Sequence, residues 1–360
     1  MDSIGARVSA LIPEDRTQKS VASEIGMAPD AFSRALRGER GFAAIELAKL
    51  ADLLDADLHY LITGEPDPAR AVFVARHDYD PATGRRTVPG ADGDRQGLSY
   101  VDLAYRQADL TGLAPSIIPS SVEDARERLG GVDFVRPFID RLEALGIDVV
   151  RLPGLSTAYS LLRFGRAVIV IQGSGNWFRE NWSLAHELGH LVLGHSDPGP
   201  DTAVKDQNER NANAFAAELL LPAERMRSLD WLTVAPAELA GRVWDFGVST
   251  DALAKRLNSL RITASPVVGE WASETTQKLL RRHWVPTEDG DPITRRMDAA
   301  SARRFPLALQ DAHLSLIAQG RVRKDTLAWM LGVEADSLEV DEPAPKPTMS
   351  ADELSAALGL

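Results

Sequence analysis

The chain has 360 residues, of which 44% are hydrophobic and 26% charged, and this length predicts two or three globular domains. It contains no cysteine, which excludes disulfides and thiolate metal sites, so a transition metal would have to be bound by histidine and carboxylate. The net charge of −12 argues against broad affinity for nucleic acid, and without a targeting signal or a membrane-spanning apolar segment we expect a cytoplasmic protein that makes no membrane contact.

The first predicted domain, residues 1–68, is a set of five short helices. Thr17 can cap a helix that ends at Gly26, and Pro29 begins a second helix that ends just before Gly38. Two helices of about eight residues, separated by a turn of about three or four, are typical of a helix-turn-helix.

The same residues carry a family resemblance. The stretch "RTQKSVASEIGMAPDAFSRALRGERG" resembles the repressor-type helix-turn-helix of the XRE/Cro-CI class, which implies an all-α DNA-binding domain through which the chain forms a homodimer. The resemblance implies that six residues face DNA: Gln18, Lys19, Asp30, Ser33, Arg34 and Arg37. Residues 1–66 hold seven Lys and Arg against eleven Asp and Glu, a net charge of −4, so a helical protein-interaction module is the alternative.

Residues 69–112 are predicted to be a linker. The stretch "HDYDPATGRRTVPGADGDRQG" is rich in Gly, Pro, Asp and Arg, a composition typical of loops. The following "LSYVDLAYRQADLTG" predicts a short helix that leads into the next domain.

The next predicted domain, residues 113–262, combines helices with a small sheet. Two helices precede three apolar runs of β type, "IDVVRL", "AYSLLRF" and "AVIVIQG". A tight turn at Gly165 and Arg166 would join the last two runs in an antiparallel hairpin, so we expect an α+β domain.

The helix after the hairpin carries the sequence His-Glu-Leu-Gly-His at residues 186–190. We expect this helix to begin near Asn181 or Ser183 and to end at Gly194. Two histidines four residues apart lie about 40° apart around a helix, one turn apart, so both can bind one metal ion. Glu187 would lie beside that metal and could take a proton from a water. Burial of three polar groups without partners would be costly, which disfavours a purely structural role.

Spacing decides which residue is the third ligand. A third histidine would be expected ten residues after the first, with a glycine three residues after the second, but Gly194 and His195 are each displaced by one. The next helix offers Glu209 and Glu218, which a separation of nine residues places on opposite faces, so only one of them can face the metal. Asn213, one turn beyond Glu209, supplies the hydrogen-bonding neighbour that a metal site requires and favours Glu209.

The segments "LAHELGHLVLGH" and "ERNANAFAAELLLP" together resemble the ImmA/IrrE-type metallo-endopeptidases over roughly residues 135–260. The resemblance implies a zincin-like α+β domain of the gluzincin type. It implies one zinc ion per chain, bound by His186, His190 and Glu209, with Glu187 as the catalytic base. It also implies that the substrate is a repressor-type helix-turn-helix protein, whose cleavage de-represses stress, phage or mobile-element genes.

Two further expectations concern the substrate. His195 is a candidate for stabilising the oxyanion, and the apolar strand at residues 167–171 could pair, as an edge strand, with an extended substrate. The rival interpretation is a non-catalytic DNA-binding regulator, or an antitoxin-like protein, whose metal domain is a sensor. Glu187 favours the enzyme because a sensor has no need of a base.

The rest of the chain predicts a helical C-terminal domain at residues 263–340, with one helix over residues 267–280, and a Pro-rich tail at residues 341–360. The predicted fold is therefore multidomain and mainly α, with a small β-sheet.

Overall fold

The computed structural model describes residues 3–13, 16–54, 56–65, 74–75, 78–80, 85–87, 90–108, 110, 112–131, 133–195, 202–286, 290–341 and 343. The chain divides into two compact units, residues 1–70 and 71–360. Within the described ranges, every helix is too short or too polar to span a lipid bilayer. The Pro-rich tail predicted at residues 341–360 lies outside the described residues, apart from 341 and 343.

The first unit consists of five helices: α1 (Ile4–Leu11), α2 (Gln18–Ile25), α3 (Pro29–Leu36), α4 (Ala44–Leu53) and α5 (Leu58–Thr63). The side chain of Thr17 accepts a hydrogen bond from the backbone N–H of Ser20 and caps α2, which ends at Gly26 with φ of +77°. Pro29 occupies the first turn of α3, where its missing N–H costs nothing. The apolar faces of these helices meet in a small core around Phe32 and Leu50.

The second unit contains a four-stranded sheet in the order β1-β5-β6-β4 and a separate two-stranded sheet formed by β2 and β3. The strands are β1 (Val74–Ala75), β2 (Asp78–Asp80), β3 (Arg85–Thr87), β4 (Ile147–Leu152), β5 (Tyr159–Arg163) and β6 (Arg166–Gln172). β5 and β6 form the predicted antiparallel hairpin, whereas β4 pairs with β6 in parallel.

The strand predicted to be an edge strand is in fact central, so that prediction is wrong. β6 is paired with β5 on one side and with β4 on the other, which leaves no free edge for a substrate. β5 is also paired on both sides, because β1 pairs with it at Tyr159 and Ser160, so the outer strands of this sheet are β1 and β4. The outer side of β4 carries a bridge between Arg151 and Arg304.

Both faces of the sheet are covered, which explains why β4 and β6 are mainly apolar and buried at successive residues rather than at alternate ones. One face is covered by α6 (Ala91–Gln107), α17 (Leu307–Ala318) and α18 (Asp325–Leu331). The opposite face packs against α9 (Trp177–Val192) and the helices around it.

Residues 69–112, predicted to be a linker, therefore include a helix that is part of this unit. α6 is held to the sheet by two buried hydrogen bonds, from Tyr159 to Asp94 at 2.7 Å and from Tyr105 to Asp148 at 2.9 Å. Burial, together with the charge of Asp148, raises the pKa of Tyr105 well above its ordinary value, so its hydroxyl stays protonated and donates.

The helices of the opposite face are α7 (Val122–Arg128), α8 (Phe138–Ala144), α9 (Trp177–Val192), α10 (Thr202–Leu220), α11 (Ala223–Ser228), α12 (Pro236–Phe246), α13 (Thr250–Ser259), α14 (Pro266–Ala272), α15 (Thr276–His283) and α16 (Pro292–Ser301). The helix predicted at residues 267–280 is two helices, α14 and α15, because Thr275 caps a new start. Val268 and Leu279 share one core with α9, so the predicted boundary at residue 262 does not coincide with a break in packing.

Candidate metal centre

Helix α9 supplies two of the three candidate ligands. It begins after Asn176, whose side chain accepts a hydrogen bond from the backbone N–H of Arg179 at 3.1 Å, and so starts earlier than the predicted Asn181 or Ser183. Leu184 and Leu188 are fully buried and fix the core-facing side of the helix. This orientation leaves the two histidines on the side that faces α10.

Close approach of α9 and α10 brings the third ligand to the histidines. A Cβ at Gly189 would lie only 3.1 Å from the ring of Phe215 and 3.2 Å from the carbonyl oxygen of Ala212, so only glycine fits there without a shift. This contact sets α10 against α9 and places Glu209, one turn before Ala212, opposite His186.

The side chains of His186, His190 and Glu209 converge on one buried point. The two Nε2 atoms are 3.1 Å apart, and the carboxylate oxygens of Glu209 lie 3.3 Å from Nε2 of His186 and 3.4 Å from Nε2 of His190. All three residues are at most 2% exposed. Among the described residues, this is the group of His and carboxylate side chains whose ligand atoms can hold a metal ion.

The hydrogen bonds around His186 show that this group fits a cation. Nδ2 of Asn213 donates to the backbone carbonyl of Glu209 at 2.9 Å, so its Oδ1 is the atom 3.2 Å from Nδ1 of His186. Nδ1 must then carry the proton, and Nε2 presents its lone pair to the carboxylate. Two acceptors facing each other at this distance repel unless a cation lies between them, and imidazole and carboxylate are zinc ligands.

His195 lies behind His190 rather than beside the reacting position. Gly194, two residues beyond the end of α9, has a φ of +65°, and the backbone N–H of His195 donates to the carbonyl of His190 at 3.0 Å, which folds the chain back. Nδ1 of His195 then lies 3.0 Å from Nδ1 of His190, the nitrogen that faces away from the ligand group. Burial lowers the pKa of His195, with the neighbouring His190 adding to this and Glu209 opposing it. This contact places His195 against the ring of His190, and its role at an oxyanion stays a prediction.

The two remaining glutamates of the sequence analysis take different positions. Glu187 is fully buried on α9, next to His186. Glu218 instead pairs with Arg256 of α13 and accepts the backbone N–H of Ala223 at 3.2 Å. It faces away from the histidines, as expected because nine residues separate it from Glu209 and place the two on opposite faces of α10.

A buried ion pair fixes the start of α9, and the sequence analysis missed it. Nε of Arg151 on β4 donates to Glu180 at 2.7 Å and Nη2 donates to the second oxygen at 2.8 Å. Both side chains are 6% exposed. The sequence signal is an arginine within a mainly apolar strand, a position that requires a partner.

Most of the residues predicted to contact DNA are exposed on the first unit: Gln18, Lys19, Asp30, Arg34 and Arg37. Ser33 is half-buried and accepts a hydrogen bond from Arg37 at 2.7 Å. Glu39 pairs with Arg37 at 2.8 Å, which neutralises part of the basic surface expected there.

Comparison with known proteins points to the segment that holds the ligand group. Residues 142–258 match the family model described as the IrrE N-terminal-like domain, Peptidase M78. No curated protein and no solved structure matches the chain. The matched segment includes α9 and α10, which carry the three candidate ligands, so the family match favours a metallopeptidase-type domain on the same residues as the ligand geometry.

Proposed function

We propose that this chain is a zinc-dependent endopeptidase that cleaves a repressor-type helix-turn-helix protein and so de-represses stress, phage or mobile-element genes. The observation that carries the proposal is the buried convergence of His186, His190 and Glu209 beside Glu187. Two imidazoles and one carboxylate form a ligand set of hydrolytic zinc sites, which keep a fourth position open.

The residues of the chain divide the chemistry between them. A bound zinc ion would polarise the scissile carbonyl and make a water more acidic. The carboxylate of Glu187 accepts the proton of the attacking water and passes it to the leaving amine. Asn213 and His195 hold the two imidazoles through Nδ1, so that each Nε2 stays directed at the shared point.

The resemblance of the first unit to repressor-type domains supports its role in recruitment. We propose that it brings the chain to DNA or to the repressor itself. The exposed residues of α2 and the first turns of α3 would make the contacts. Glu39 pairs with Arg37 at 2.8 Å and more distantly with Arg34 at 4.0 Å, so Lys19 and then Arg34 would supply most of the attraction to phosphate.

One observation favours a second candidate function, a DNA-binding regulator whose metal domain is a sensor. Glu187 and His186 are completely buried, which suits a site that holds a metal without admitting a peptide. The presence of a glutamate at the base position favours the peptidase.

The deciding experiment compares the wild type with Glu187→Gln, both loaded with zinc, on the repressor-type protein encoded nearby. We expect cleavage to fall by about 10²–10⁴-fold while zinc content is unchanged, because the substitution removes the base and no ligand. Glu224→Gln, an exposed change on α11, serves as the control with full activity. Cleavage that survives Glu187→Gln would exclude the mechanism, and zinc binding without cleavage by the wild type would favour the sensor.

A further inference from the structure

A cavity of about 380 Å³ lies on the face of the sheet opposite to α9. It is enclosed by the first half of α6, the end of β4 with the residues that follow it, Arg303 before α17, and Trp329 of α18. Its described lining includes none of the candidate metal ligands. A concave site of this size, mainly apolar with a few polar groups, is typical of small-molecule binding.

Two glycines keep the α6 side of the cavity open. Gly93 and Gly97 both line it and are one helical turn apart. A Cβ at Gly93 would have no described atom within 4 Å, and a Cβ at Gly97 would only touch Leu152 at 3.7 Å and Leu155 at 3.9 Å. A larger side chain at Gly97 would therefore occupy the cavity. Glycine within a helix is less stable than alanine, so helix stability alone does not favour glycine at these two positions.

One wall of the cavity is a fixed pair of aromatic rings. Tyr100 of α6 stacks on Trp329, with ring centroids 5.0 Å apart and planes inclined by 23°. Phe305 contacts the ring of Trp329 edge-on at 5.3 Å and holds it in place. Tyr100 remains 38% exposed, so part of its ring is free to contact a ligand. Flat aromatic surface of this kind favours a ligand that itself contains a ring.

The cation that lines the cavity has no anionic partner. Nη1 of Arg303 donates to the backbone carbonyl of Trp329 at 3.1 Å, and the guanidinium makes no ion pair with the described part of the chain. Arg304, the next residue, instead donates two hydrogen bonds to the carboxylate of Glu143. Arg303 is half-buried, and burial lowers its pKa below the ordinary value for arginine. The remaining N–H donors of Arg303 are therefore available to an anion.

The acidic residue of the lining, Asp94, is already occupied by donors from the chain. Its carboxylate accepts hydrogen bonds from the backbone N–H of Ser156 at 2.9 Å, from the hydroxyl of Ser156 at 2.6 Å and from the hydroxyl of Tyr159 at 2.7 Å. These three bonds offset its negative charge. Asp94 therefore serves to hold α6 to the sheet, and Arg303 is the charged group that the cavity offers to a ligand.

We propose that this cavity binds a small planar ring compound that carries one carboxylate or phosphate group, with the ring against Tyr100 and the anionic group on Arg303. The planar guanidinium of arginine matches either group with two parallel hydrogen bonds. The volume is near the lower end of the range for small-molecule sites, about 300–1,000 Å³, and so favours one or two fused rings. The inference goes beyond the proposed function and does not depend on it, because the two sites share no residue.

The test titrates the zinc-loaded, full-length chain with four probes in ligand-observed NMR: 2-naphthoate, 2-naphthyl phosphate, the uncharged 2-naphthamide, and acetate. We expect the wild type to bind at least one anionic naphthyl probe with a Kd of about 1 mM or less. The amide should bind about three- to tenfold more weakly, because it lacks the charge, and acetate at least about tenfold more weakly, because it lacks the ring. Tighter binding of 2-naphthoate identifies a carboxylate ligand, and tighter binding of 2-naphthyl phosphate identifies a phosphate ligand.

Variants locate the binding, since an anion could also bind zinc. Arg303→Met keeps the length of the side chain but removes its charge, so the anionic probes should fall to the affinity of the amide, which stays unchanged. Gly97→Leu fills the cavity and should weaken all naphthyl probes by at least about tenfold. The matched control is Arg323→Met, which removes the charge of an arginine that is 93% exposed, outside the cavity. It should bind all probes like the wild type.

Urea unfolding of each variant shows that it is folded. Should Arg303→Met not fold, Arg303→Lys takes its place; it keeps the charge without the planar guanidinium and should lose part of the preference for the anionic probes over the amide. No binding of either anionic naphthyl probe to the wild type would overturn the inference. So would equal affinity for these probes and the amide, or equal binding to the Arg303 variant and Arg323→Met.

Discussion

Oδ1 of Asn213 accepts a hydrogen bond from Nδ1 of His186 at 3.2 Å, while the other end of the same amide is fixed by the backbone of Glu209. One residue of α10 thus sets the tautomer and the orientation of a candidate ligand on α9. His195 takes the corresponding position behind His190. Each imidazole therefore contacts one further polar side chain through its Nδ1. Asn213 lies on the neighbouring helix, and His195 lies in the turn that follows α9.

From the contacts that Asn213 and His195 make with the two imidazoles, we expect zinc affinity to depend on residues that do not touch the metal. Asn213→Leu and His195→Ala should each weaken zinc binding by about 10–100-fold, measured by competition with a chromogenic chelator. Asn213→Asp keeps an acceptor for Nδ1 and should retain most of the affinity. Asn211→Ala, an exposed change on the same helix, is the control. Unchanged affinity in Asn213→Leu would show that the contact does not hold the ring.

The choice between the two glutamates of α10 gives a second prediction. Glu209→Ala removes one of three ligands, so the zinc content after dialysis should fall from about one ion per chain toward zero. Glu218→Ala should keep its zinc but unfold at a lower denaturant concentration, because it leaves Arg256 without its partner. Atomic absorption and urea unfolding on the same samples distinguish the two effects. Loss of zinc from Glu218→Ala alone would reverse the assignment.

The convergence of the three candidate ligands was predictable from sequence because helices have a fixed period. Four residues bring His186 and His190 to one side, and nine residues separate Glu209 from Glu218. The role of His195 was not predictable, since it depends on a turn at Gly194 that reverses the chain beyond the helix. Helical periodicity does not reach past that turn.

The sheet shows the same limit of prediction from sequence, for residues that lie farther apart along the chain. The hairpin of β5 and β6 follows from a tight turn at Gly165, but nothing local indicates that β4 pairs in parallel with the far side of β6. The prediction of an edge strand failed for that reason. A short helix was predicted from residue 98, but the start of α6 at Ala91 was not, because it lies in a stretch rich in Gly and Asp. Packing of Val101 and Tyr105 against the sheet stabilises the whole helix.

The buried pair of Arg151 and Glu180 gives a third prediction, about the placement of α9. Glu180→Gln leaves a buried guanidinium without its charge partner and should lower the free energy of unfolding by about 3–5 kcal/mol. The double substitution Arg151→Met with Glu180→Leu should recover much of that loss, since no charge is then buried. The control is Asp251→Asn, which breaks an exposed pair with Lys255 and should change stability by less than about 1 kcal/mol. Equal stability of Glu180→Gln and the wild type in urea unfolding would contradict this account.

His313 on α17 predicts how the stability of the second unit depends on pH. It is fully buried, and Nε2 donates to the carbonyl of Ala104 on α6 at 2.9 Å. Burial lowers its pKa below the ordinary 6.5, although the bond to Ala104 opposes this, so the folded chain binds fewer protons than the unfolded chain. The contribution to stability is therefore complete above pH 6.5 and is lost as pH falls below it, at no more than about 1.4 kcal/mol per pH unit. His313→Gln keeps a donor for Ala104 but does not titrate. Between pH 7.5 and 5.5, urea unfolding of the wild type should therefore lose more free energy than that of the variant, and identical losses would show that His313 does not resist protonation.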